Sequence, residues 1–132
     1  MLMPNRPVPG FVPETPAVTS ASIASVTDAH PVVIVHFWAV WNGADPPMDE
    51  QLPRIAGRLP FNAHFTSCNV DDPDCVDLCK RCGVVNIPYL AVFVDGDLRP
   101  GIIGLLDADD IVSRLTDSVL RPPSPRPWWR FW

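Results

Sequence analysis

Pro31-Val-Val-Ile-Val-His-Phe-Trp-Ala39 is a near-continuous run of β-branched and aromatic residues, interrupted only by His36. Such a run suits a strand covered on both faces, because a strand with one wet face alternates apolar and polar residues instead. It therefore belongs in the middle of a sheet with helices packed on either side. A chain of 132 residues holds one core of this kind plus tails, since domains cluster at about 100–150 residues. The elements that cover the strand must come from its flanks.

Before it, Thr19-Ser20 can cap a short helix near residues 21–29, and the segment from Phe11 to Val18 can supply an edge strand, the only kind its prolines permit. After Trp41, the residues Met48, Leu52, Ile55 and Leu59 recur at i, i+4, i+7 and i+11 and so share one helical face. Asp45 is placed as the N-cap of this helix, with Pro46 and Pro47 in its first turn and Pro53 set to kink it. Phe65 to Val70 reads as a strand, and Asp74 to Cys82 as a short helix entered through Asp71-Asp72-Pro73. Tyr89 to Val94 is a strand, Asp95-Gly96 a hairpin turn and Leu98 to Ile103 the returning strand. Asp107 then caps a last helix on which Ile111, Leu115 and Val119 repeat every four residues. The order β-α-β-α-β-α-β-β-α predicts an α/β domain whose parallel sheet ends in an antiparallel hairpin.

The composition, 47% hydrophobic and 19% charged, fits a packed core. Seventeen prolines exceed what that core needs. They gather at the ends and around the middle helix, which divides the chain into a Pro-rich tail (1–16), a domain (17–120) and a second tail (121–132). A net charge of −5, with no basic face in the body, argues against nucleic acid as a partner. The first residues lack both a charged and an apolar leader region, no stretch approaches the roughly 20 apolar residues of a membrane span, and the expected location is cytoplasmic.

The segment Val35-His-Phe-Trp-Ala-Val-Trp-Asn-Gly-Ala-Asp45 resembles the thioredoxin family, whose members carry Phe-Trp-Ala-x-Trp-Cys-Gly-Pro-Cys after the buried strand. Val84-Val-Asn-Ile-Pro-Tyr-Leu90 is similar to the family's Ile-Pro-Thr segment, and Gly104 stands where the family keeps a glycine beside the site. The resemblance covers residues 17–120 and implies the thioredoxin fold, a mixed sheet flanked by helices, with Pro88 as a cis proline facing the motif. It also implies that Asn42 and Asp45 occupy the positions of the two redox cysteines. Neither can be the thiolate that attacks a substrate disulfide. Asp45 would fill the helix terminus with its own carboxylate as a cap, and His36 stands where the family keeps a buried Asp that relays protons. Its plain reading is a hydrogen-bonded core residue. What remains of the family surface is a site for a protein or extended peptide at Trp41, Asn42, Gly43, Ala44, Asp45, Ile87, Pro88 and Gly104, used without disulfide exchange.

The four cysteines lie elsewhere, Cys68 in a strand and Cys75, Cys79 and Cys82 at i, i+4 and i+7 in the next helix. With Leu78 they can form one apolar stripe packed on the sheet. Cys79-Lys-Arg-Cys82 can instead be a displaced dithiol, making the chain a thiol-disulfide oxidoreductase or redox sensor, although a helix C-terminus raises a thiol's pKa. Vertebrate thioredoxins look similar in carrying extra cysteines where Cys75 and Cys82 stand, linked there with regulation by oxidation. About 10.5 Å of straight helix would separate those two, so pairing them requires unwinding. Four thiolates also suit zinc, but the spacing is not the two-knuckle pattern, and no metal or cofactor is expected. Finally, Arg121-Pro-Pro-Ser-Pro-Arg-Pro-Trp-Trp-Arg-Phe-Trp132 combines three arginines with four large rings. It reads as an attachment element for the chain's own domain, for a partner or for a membrane surface.

Overall fold

The computed structural model describes residues 7–121. Four strands form one sheet in the order β2-β1-β3-β4: β1 (Val32–Trp38), β2 (His64–Asn69), β3 (Tyr89–Val94) and β4 (Asp97–Ile103). The helices are α1 (Ile23–Ala29), α2 (Asp45–Arg58), α3 (Val76–Cys82) and α4 (Ala108–Leu120), with a 3-10 turn at Pro73–Cys75. Every residue of β1 is buried, as its composition requires. Val33, Val35 and Phe37 point into one core with Ile23 of α1 and Leu78 of α3. Val32 and Ile34 point into the other with Met48, Leu52 and Ile55 of α2 and Ile111 and Leu115 of α4. The even-numbered residues of β1, His36 among them, thus face α2.

Only β1 and β2 run parallel; β3 is antiparallel to β1, and β4 to β3. This departs from the parallel sheet that strand-helix alternation predicts. The reason is the length of α3, seven residues or about 10 Å, too short to carry the chain back along the sheet. Asn69 at the end of β2 and Tyr89 at the start of β3 accordingly pair with Trp38 and Phe37 at one end of β1.

The edge strand expected before α1 is reduced to a single parallel bridge between Ala17 and Ser67. Pro16 has no N–H to donate; its carbonyl accepts from Ser67 N, and Val18 N donates to the Ser67 carbonyl. The helix expected from Asp74 begins at Val76, because Asp72 caps a 3-10 turn first. The hairpin and last helix follow their sequence signals. Asp95 and Gly96 both take positive φ in the turn, and the Asp107 carboxylate accepts from Asp110 N at 2.8 Å. Helix α2 runs through Pro53 to Arg58.

Candidate functional site

The end of β1, the loop into α2 and the approach to β3 meet at one end of the sheet's central strands. The even-residue parity of β1 turns His36 toward the first turn of α2, where its Nε2 lies 2.9 Å from Asp45 Oδ1. The second carboxylate oxygen accepts from Ala39 N at 2.9 Å and from Asn42 Nδ2 at 3.0 Å. Both His36 and Asp45 are 0% exposed. Since a carboxylate only accepts, Nε2 is the donor of this bond, and His36 Nδ1 has no hydrogen-bond partner among the described residues.

The expected role of Asp45 as N-cap is thereby corrected. Ala44 is the N-cap and Asp45 the first helical residue, with its side chain turned back toward β1. An N-cap oxygen needs the amide of the second or third helical residue. With Asp45 as cap, the second would be Pro47, which has none, and Met48 N already donates to the Ala44 carbonyl. The carboxylate is left to find its donors in the preceding loop and in His36.

Around this buried pair the loop presents a partly open surface. Gly43 is buried, Asn42 and Ala44 are half-buried, and Trp41 is 59% exposed. The Trp41 ring is fixed by donation from its Nε1 to Asp71 Oδ2 at 2.8 Å. The Ile87-Pro88 peptide is cis, as the resemblance implies, and the Pro88 carbonyl accepts from Gly104 N at 2.8 Å. Gly104 holds φ at 95°, a conformation glycine adopts without the steric cost a Cβ brings. A groove of roughly 320 Å³ is lined by Trp41, Asn42, Val70, Val84, Val85, Asn86 and Ile87. Of the expected site residues it unites Trp41, Asn42 and Ile87. Gly43, Ala44, Asp45, Pro88 and Gly104 form its support and do not line it. The sequence reading missed Val70, Val84, Val85, Asn86 and the Asp71 acceptor. The available signal was Val84-Val85-Asn86-Ile87, an apolar run just before the proline, with Val85 left 78% exposed.

The cysteines lie on the face of the sheet opposite α2, in a core against which Val70, Val84 and Ile87 of the groove also pack. Cys68 and Cys75 are 0% and 1% exposed, Cys82 is 6% exposed, Cys79 is half-buried, and all four are free thiols. Cys75 Sγ donates to the Val18 carbonyl at 3.6 Å. Burial pushes every one of these thiols above its ordinary value, Cys82 to about 11 despite the neighbouring Arg81. As expected, Cys75, Cys79 and Cys82 pack with Leu78 on the sheet, although Cys75 belongs to the 3-10 turn and only Cys79 and Cys82 to α3. Among the described residues no group of three or more His, Cys, Asp or Glu is placed to hold a metal ion.

The N-terminal segment is partly engaged, with Phe11 edge-on to Trp38 at a centroid distance of 5.5 Å. Residues 122–132, for which an attachment role is expected, lie outside the described residues. Among the described residues no helix is long and apolar enough to cross a membrane.

The thioredoxin family profile matches residues 16–117. The chain is 30% identical to the thioredoxin of Mycobacterium bovis over 103 residues, which is 77% of this chain and 87% of that protein. It is 30% identical to the chloroplastic M-type thioredoxin of Triticum aestivum over 76 residues, 54% of this chain, and 29% identical to monothiol glutaredoxin-S17 of Arabidopsis thaliana over 79 residues. It spans only 40% and 16% of the length of those two proteins. Among solved structures, a mutant thioredoxin from Halobacterium salinarum superposes with a TM-score of 0.69 at 22% identity, covering 86% of this chain and all of that one. Oxidised mitochondrial thioredoxin 3 from Saccharomyces cerevisiae superposes with a TM-score of 0.67 at 23% identity, over 78% and 94% of the two chains.

Proposed function

This chain belongs to the thioredoxin family, and we propose that within it the chain is a peptide-binding module that holds an extended protein segment without exchanging disulfides. The observation that carries this reading is the hydrogen-bonded set of His36, Asp45, Asn42 and Ala39. It occupies the place of a dithiol with groups that cannot transfer electrons, while the groove between Trp41 and Ile87 stays open beside it. Binding needs only that groove, its exposed ring and the free backbone next to Pro88, and fold does not fix function. Four free thiols suit a reducing compartment, which supports a cytoplasmic location.

An oxidoreductase working through Cys79 and Cys82 would need thiolates near neutral pH. Burial holds both thiols protonated, and Cys82 ends the helix, where the dipole adds to the difficulty. The purified chain is expected to reduce insulin no faster than buffer. Turnover lost on Cys79→Ser or Cys82→Ser would replace the binding module by the oxidoreductase. Titration with a library of extended peptides, followed by amide chemical shifts, should move Trp41, Asn42 and residues 84–87. An absence of shifts there with every peptide removes the binding reading.

A further inference from the structure

The groove between Trp41 and Ile87 is lined chiefly by apolar side chains. Val85 at its rim is 78% exposed and Trp41 59%, and large apolar side chains left bare together mark a surface that another segment covers. The chain beside the groove is acidic. Asp71 holds the Trp41 ring, and Asp72, Asp74 and Asp77 follow it. The occupant that suits this groove is therefore an extended segment with aromatic side chains flanked by positive charge. One stretch of the chain itself has that chemistry. Residues 122–132, outside the described structure, carry Trp128, Trp129, Phe131 and Trp132 with Arg126 and Arg130, and no acidic residue.

Where that segment starts is fixed by the fold. Gly104 N bonds the Pro88 carbonyl at the groove end of the sheet, and α4 then leads the chain away. The Arg121 carbonyl accepts from Arg99 Nη1 at 2.8 Å, toward the end where Asp97 pairs with Val94. The thirteen residues of α4 span about 20 Å. A proline-rich chain advances about 3.1 Å per residue, so the seven residues from Arg121 to Trp128 reach about 22 Å. The rings thus begin at the distance that separates Arg121 from the groove. A tether whose length matches its span gives an effective concentration in the millimolar range, which favours the chain's own groove over that of a second copy. We infer that the C-terminal segment docks in the groove of its own chain, with Trp128 and Trp129 against Trp41 and Val85 and the flanking arginines toward the acidic stretch after β2. This rests on the reading of the groove as a site for extended peptides and gives it a resident occupant. An incoming protein segment must displace the tail, and so binds the full chain more weakly than the bare groove would allow.

The test uses the isotope-labelled full chain. In the parent, the Val85 methyls should show nuclear Overhauser contacts to the indole protons of Trp128 or Trp129. A full-length variant carrying Trp128→Ser, Trp129→Ser, Phe131→Ser and Trp132→Ser should shift the amides of Trp41, Asn42 and residues 84–87 relative to the parent, by the same amounts on dilution. A synthetic peptide of residues 122–132 added to that variant should return those amides toward the parent's positions, and library peptides should bind the variant several-fold more tightly than the parent. Parent and variant amides that coincide at the groove overturn the inference, as do Val85 methyls without those indole contacts and shifts confined to another face. Differences that disappear on dilution overturn it too, by assigning the tail to a second copy. If the variant does not fold, the Val85 contacts in the parent decide. Library peptides that move Trp41 and residues 84–87 where the tail substitutions do not would remove the tail alone; a groove that neither moves takes the peptide-binding reading with it.

Discussion

The two faces of the sheet bury their chemically distinctive side chains in opposite ways. Toward α2, His36 and Asp45 are polar and fully enclosed, and three hydrogen bonds converge on one carboxylate. Toward α3, Cys68, Cys75 and Cys82 behave as small apolar residues, with weak sulfur contacts in place of a polar network. A polar group enclosed without its partner costs far more than an apolar group that leaves a gap. The α2 face should therefore be brittle and the α3 face tolerant.

Breaking the polar pair is the most severe test of this contrast. Asp45→Ala leaves the Ala39 amide, the Asn42 side chain and His36 without their acceptor. It is expected to cost about 3–5 kcal/mol, read as a drop in the urea midpoint. Asp45→Asn keeps the shape and should recover part of the loss. If Asp45→Ala moves the midpoint no more than a surface substitution does, the α2 face is not brittle.

On the α3 face the comparison is sharpened by a pair of serine substitutions. Cys68→Ser puts a hydroxyl into a site with 0% exposure and should cost about 1–3 kcal/mol. Cys79→Ser, at the half-exposed margin, should stay within about 0.5 kcal/mol. Equal losses would mean that Cys79 is as enclosed as Cys68.

A smaller effect appears in alkali. Cys82 keeps its proton up to about 11 in the folded chain, against an ordinary 9.0, so between those values the unfolded chain has released a proton that the folded chain retains. Deprotonation then favours unfolding. The contribution of Cys82 is complete below pH 9.0 and lost as pH rises through about 11. Cys68 and Tyr89, also raised by burial, act in the same direction. The melting temperature should fall through this window, and Cys82→Ala should fall less steeply. An unchanged slope assigns the alkaline loss to the other groups.

Much of this was legible in the residues, for physical reasons that can be named. The β1 run announced a doubly covered strand, Asp95-Gly96 a two-residue hairpin, and Asp107 a cap, because each signal is local. The direction of β3 was not legible, since it depends on how far seven residues of helix can reach. The His36–Asp45 pair was nearly so. Each residue stood out as a departure from the family pattern, and counting alternation from Ile34 puts His36 on the face covered by the helix that Asp45 begins. Assigning Asp45 the ordinary role of cap hid the pairing, although Pro47 had already removed an amide that a cap would use. The break before α3 was hidden by reading Cys75 into the helix, when Pro73 and the Asp72 cap divide that segment into two turns.

The mildest prediction concerns the rim of the groove. Trp41 is 59% exposed, and its bond to Asp71 at 2.8 Å lies at the surface, where a hydrogen bond contributes only about 0.5–1.5 kcal/mol at most. Trp41→Phe removes that bond and leaves the His36–Asp45 pair intact, so the urea midpoint should shift by less than about 1 kcal/mol. Binding should respond differently. An indole at the rim of a groove contributes area and a fixed orientation to a bound chain, and the phenyl ring, released from Asp71, can swing across Asn42. Peptide affinity is therefore expected to fall at least several-fold while stability barely moves, measured by calorimetric titration beside the denaturation curve. Asp71→Asn keeps an acceptor for the indole and should retain most of the affinity. If affinity and stability fall together in Trp41→Phe, the ring belongs to the enclosed polar region and the boundary between brittle interior and binding rim is misplaced. If neither falls, the groove is not where an extended chain docks.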